Sequence, residues 1–147
     1  MARTIGIGNQ DFETIRREGY FYIDKTDLIR QWWESGDGVT LITRPRRFGK
    51  TLNMSMLEKF FSVDYKDRGD LFSGLKIWES KKYIDLQGTY PVIFLSFAGV
   101  KESAYADARE SMCRTIEEQY NKYDRLLNGD LRQWVLEGDA RFYQKPV

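Results

Sequence analysis

Apolar positions along this chain fall into two patterns: stripes at three-to-four spacing and short uninterrupted runs. In "DFETIRREGYF", Phe12 and Ile15 share one helical face, Asp11 can cap the N-terminus and Gly19 can end the helix. "DKTDLIRQWWESGDG" repeats that logic, with Asp24 or Thr26 as cap, a stripe of Leu28, Ile29, Trp32 and Trp33, and Gly36 as stop. From Thr51 onward, Leu52, Met56 and Phe60 recur four apart, and Leu57 and Phe61 widen the stripe. The longest helical pattern covers 102–126, where Tyr105, Ala108, Met112, Ile116, Tyr120 and Tyr123 keep the spacing before Asn128-Gly129. One more short helix is expected in "DLRQWVLEG", capped by Asp130 and stopped by Gly138.

The runs read differently. "VTLI" (39–42) follows a Ser-Gly-Asp-Gly turn and predicts a short buried strand, which Pro45 ends. "PVIFLSF" (91–97) is continuously apolar from Val92 to Leu95, as in a strand covered on both faces. Between them, 64–88 has no sustained period and reads as a long connection with one helical turn at 70–72. Strands alternating with helices predict an α/β layered fold with parallel strands. Two strands leave both sheet edges open, so the fold is expected to be incomplete, the opening portion of a larger domain. The organisation is a helical lead-in at 9–36, strand, loop and helix at 39–62, a connection at 63–90, then strand and helices at 91–138.

Composition narrows the chemistry. At 147 residues, 41% hydrophobic and 31% charged, the chain fits one globular domain. No apolar run approaches the ~20 residues of a bilayer span, and the start lacks a secretory pattern. Cys113 is the only cysteine, expected as a buried residue on a helix face, so a reducing cytoplasmic setting is anticipated. Histidine is absent, which removes Ser-His and Cys-His pairs and His metal sites. Phosphate chemistry survives that filter, because it relies on amides, cations and Mg²⁺. Net charge is +1, yet in 38–57 the only charged residues are Arg44, Arg46, Arg47 and Lys50, all positive.

That concentration of charge coincides with "TRPRRFGKT". A Walker A loop is a strand, then G-x-x-x-x-G-K-[ST], then a helix. Loop amides and the helix N-terminus face the phosphate oxygens, the lysine supplies a cation, and the Ser/Thr hydroxyl ligates Mg²⁺. Gly49, Lys50 and Thr51 fill the last three positions, with Arg44 where the first glycine would stand. Gly-Lys-[Ser/Thr] alone arises by chance in about one in fifteen chains of this length, so the flanking apolar run and helix carry the reading. A structural basic turn is the alternative.

"GYFYIDKTDLI", "LITRPRRFGKTLNMSMLEKFF", "LFSGLKIW" and "YPVIFLSF", together spanning about 7–97, resemble the predicted AAA-ATPase-like family. Its members usually carry a PD-(D/E)XK nuclease-like segment towards the C-terminus, and this chain resembles the N-terminal part. "RPRRFGK[ST]" is that family's version of the Walker A loop, so Arg44 is typical there. The resemblance implies a P-loop NTPase-like fold and ATP with Mg²⁺ as cofactors. The candidate nucleotide-binding residues are Arg46, Arg47, Phe48, Gly49, Lys50, Thr51 and Leu52, with Lys50 as the catalytic cation and Thr51 as the metal ligand. The Walker B strand ending in an acid is not found: "VIFLSFAG" has none, and Glu79 and "KYIDL" follow too few apolar residues. A fragment that binds nucleotide without efficient hydrolysis is therefore expected.

Other residues admit two readings. Arg46 and Arg47 can touch phosphates or shape the loop through carboxylates. Trp32 and Trp33 can stack a base, but their helical spacing favours the core. By analogy with related ATPases, Tyr22 and Ile23 are candidate adenine-side contacts. The alternative functions are a nucleic-acid-binding module using the arginines and Lys50 on backbone phosphates, or a protein-interaction module with a vestigial loop. Expected partners are nucleotide, nucleic acid through the full-length protein and a second copy of the chain, with no membrane.

Overall fold

The computed structural model describes residues 4–45 and 47–123, which lie in two compact units, 1–92 and 93–147. The first unit is built on four helices: α1 (Phe12–Arg17), α2 (Asp27–Ser35), α3 (Lys50–Phe61) and α4 (Lys81–Leu86). Asp11 caps α1 as its position predicts, its Oδ2 accepting from Thr14 N at 2.8 Å and from Thr14 Oγ1 at 2.8 Å. Gly36 ends α2 in the left-handed conformation, as the spacing predicts.

The core lies among α1, α2, α3 and the connection after α3. Phe12 stacks on Phe72 at 5.1 Å, and Phe60 meets the Phe72 ring edge-on at 5.2 Å. Met56, Ile29, Leu71, Leu75, Ile77 and Tyr83 complete the buried cluster. Trp32 and Trp33 pack against it on Phe61, at 5.3 and 5.6 Å. Their helical spacing therefore reports packing.

The connection holds more structure than one helical turn. It folds as three 3-10 turns, Val63–Tyr65, Gly69–Phe72 and Lys76–Glu79, followed by α4. It returns to the end of α3 through Gly88 N to Phe60 O (2.8 Å) and Tyr90 N to Phe61 O (2.9 Å), and to the first 3-10 turn through Val63 N to Tyr90 O (2.8 Å). Gly88 has φ +68°, and a β-carbon there would stand 2.4 Å from Lys66 Cα, so only glycine permits this close return.

The expected α/β fold with parallel strands is not observed. The described residues are mostly helical and contain no strand, only an isolated parallel bridge between Ser62 and Tyr90. Residues 39–42 form no strand, with Val39 91% and Leu41 82% exposed. In the second unit, Ile93, Leu95 and Phe97 are likewise exposed. An apolar run reports side chains that favour burial, whereas a strand also needs a neighbour for its N–H and C=O groups. Among the described residues neither run is assigned to a strand ladder.

The second unit contains α5 (Tyr105–Lys122), which starts three residues later than the pattern from 102 suggests and buries none of its residues. Cys113 is exposed on it, which corrects the expectation of a buried thiol. The expected helix from Asp130 to Gly138 lies outside the described residues. No helix among the described residues is long and apolar enough to cross a membrane.

Candidate functional site

The loop before α3 turns through unusual backbone. Arg47 (φ 68°) and Gly49 (φ 73°) have positive φ, while Phe48 between them does not. Arg47 is the only non-glycine with positive φ among the described residues, a conformation that costs on the order of 1–3 kcal/mol. Two left-handed residues, separated by one residue, turn the chain sharply into the helix. Gly49 is the N-cap of α3, and no side chain caps the helix there. The first helical amide bond is Asn53 N to Gly49 O at 2.9 Å, so the amides of Lys50, Thr51 and Leu52 precede the intrahelical ladder.

Electrostatically this end of α3 is uncompensated. Its first turn contains no acidic residue. Lys50 Nζ donates to the carbonyl of Arg44, folding back across its own loop onto a neutral acceptor. Arg44, Arg47 and Lys50 make no ion pair with any carboxylate among the described residues. Phosphate or carboxylate ligands suit such a place, because helix dipole, free amides and cations all favour negative charge.

The helix is held in position from its other turns. Ser55 Oγ accepts from Phe12 N at 3.1 Å and donates to Asp11 Oδ1 at 3.0 Å, tying α3 to the start of α1. Lys59 is buried, with Nζ 2.9 Å from Glu58 and 3.5 Å from Asp11. Tyr22 is half-buried and packs against the core: its ring meets Phe12 at 5.4 Å and its hydroxyl donates to Met56 Sδ at 3.3 Å. Burial pushes its phenol up to about 12. Ile23 is exposed.

The sequence-predicted residues Arg47, Phe48, Gly49, Lys50, Thr51 and Leu52 thus form one continuous turn into α3; Arg46 lies outside the described residues. Within the turn, Phe48 and Thr51 are exposed, and Leu52 packs partly against the core. Sequence reasoning missed Lys25. A β-carbon on Gly49 would stand 3.7 Å from Lys25 Nζ, so this ammonium lies against the same turn. The only signal was its place in "DKTD", between two residues whose side chains organise the start of α2.

The family described as "Predicted AAA-ATPase" matches residues 6–141. A protein of Azotobacter chroococcum mcd 1, "Uncharacterized protein in vnfD 5'region", is 32% identical over 120 residues, covering 80% of this chain and 22% of that protein. The chain therefore spans about a fifth of the length of that relative. No solved structure matches it. With the family match running through nearly all of its length, the chain belongs to the predicted AAA-ATPase family.

Proposed function

We propose that this chain binds the phosphates of ATP, with Mg²⁺, at the turn leading into α3. The observation that carries the reading is the gathering of Arg44, Arg47 and Lys50, without carboxylate partners among the described residues, at an uncapped helix N-terminus. In this reading the amides of Arg47, Gly49, Lys50, Thr51 and Leu52 face phosphate oxygens. Lys50 exchanges its contact with the Arg44 carbonyl for a phosphate, gaining a charge-assisted bond in place of a neutral one.

The Thr51 hydroxyl is exposed and open to a hydrated Mg²⁺. No group of three or more His, Cys, Asp or Glu that could hold a metal occurs among the described residues. The ion would therefore arrive with the nucleotide and keep phosphate and water as most of its ligands. The assigned residues account for binding; a hydrolytic carboxylate is not among them.

Calorimetric titration with Mg·ATP tests the proposal. Native protein should bind saturably and gain thermal stability with nucleotide concentration, and Lys50→Ala should lose both while remaining folded. Absence of heat and of any thermal shift for native protein at millimolar Mg·ATP would overturn it.

A further inference from the structure

We propose that Lys25 is a second phosphate-binding cation of this loop, delivered from the connection between α1 and α2. The inference rests on the phosphate-binding reading above and adds a residue outside the loop motif. Lys25 Nζ lies beside Gly49, where a β-carbon would be 3.7 Å from it. Gly49 is also where α3 begins and where the backbone turns left-handed. Lys25 and Lys50 therefore reach the same helix start from two different parts of the chain.

Its backbone is held on both sides. Lys25 N donates to the Tyr22 hydroxyl at 3.3 Å, and its carbonyl accepts from Leu28 N at 3.0 Å. On one flank, Asp24 Oδ1 accepts from Thr26 N (2.8 Å) and Thr26 Oγ1 (2.6 Å), while its Oδ2 accepts from Lys76 N (2.8 Å). On the other flank, Thr26 is fully buried and its Oγ1 accepts from Ile77 N at 3.2 Å. The clasp thus anchors this bend to the 3-10 turn at Lys76–Glu79. A fixed backbone limits the entropy lost when a long side chain is ordered on a ligand.

Both Asp24 oxygens are engaged by that clasp, and Lys25 makes no ion pair among the described residues. An ammonium held beside an uncapped helix start, with no acid to answer it, repels Lys50 and the helix dipole until an anion arrives. A bound polyphosphate relieves that repulsion. The two lysines would then both contribute to holding it at this turn.

The test uses the full chain and Mg·ATP. Lys25→Ala and Lys25→Gln should weaken binding about tenfold, the effect of one charge-assisted contact. Their melting temperatures without nucleotide should match native, and the salt dependence of Kd should flatten, because a cation has left the site. Lys25→Arg should restore affinity to within about threefold. A merely structural lysine would shift melting temperature and leave the salt slope unchanged. If Lys25→Ala binds like native while Lys50→Ala does not bind, the role of Lys25 is overturned and the phosphate reading stands. If native protein itself fails to bind, both fall.

Discussion

Lys50 and Lys59 stand at opposite ends of α3, and their charges meet opposite surroundings. Lys59, with its side chain 9% exposed, is 2.9 Å from Glu58 and 3.5 Å from Asp11, and its ammonium sits 4.6 Å from the centre of the Tyr65 ring. Burial alone would lower its pKa, but the bond to Glu58 and the contact with Tyr65 outweigh it and hold the pKa above the ordinary lysine value. Lys50 rests on a carbonyl, with no carboxylate partner among the described residues. The helix dipole deepens the contrast, because a cation is favoured in the last turn and disfavoured in the first, by about 0.3–1 kcal/mol each. One end of α3 is electrostatically closed, and the other is left open. That asymmetry separates a lysine that stabilises the fold from one available to a ligand.

The closed end should dominate stability. Phe60 is fully buried at that end, edge-on to both Phe61 and Phe72. Phe60→Ala should lower unfolding free energy by about 4 kcal/mol in denaturant titration. A loss near 1 kcal/mol would mean that the site collapses around the void and that the core is less rigid than its ring contacts indicate. The two lysines give the sharper test. Lys59→Ala leaves Glu58 without its ammonium and removes a buried stem, so a loss of about 3 kcal/mol is expected. Lys50→Ala should change stability by no more than about 0.5 kcal/mol, with its effect confined to nucleotide binding. Equal losses for the two variants would break the comparison.

What could be read in advance follows the range of the interactions. Asp11 and Gly36 were legible because a cap or a left-handed stop acts within its own turn. The start of α3 at Gly49 was legible from the four-residue spacing that follows Thr51, whereas the positive φ of Arg47 carries no residue signature. Leu71, Phe72, Leu75 and Ile77 were obscured because successive 3-10 turns bury them without one sustained period. Residues 39–42 misled for the opposite reason: their apolarity is strong, but strand formation depends on a partner segment that the run does not specify. Lys25 was invisible because only folding brings it to Gly49.

The smallest expected effect concerns acid. Burial raises the pKa of Asp11, but bonds from the Thr14 amide and hydroxyl and from Ser55, with Lys59 nearby, outweigh it and lower the value. A carboxylate whose folded pKa is depressed contributes stability that is fully present above its unfolded value of about 3.9 and is lost as pH falls through the folded value. Asp11→Ala should therefore cost about 1 kcal/mol at neutral pH, a typical loss for an acidic N-cap. That difference from native should shrink as pH drops below about 4. Lys50→Ala should instead track the native curve through the same range, since no carboxylate among the described residues is paired with Lys50. Urea midpoints at several pH values, measured side by side, separate the two ends of α3. A Lys50→Ala curve that also converged on native in acid would place a carboxylate at the open end and remove the reason for reading it as an anion site.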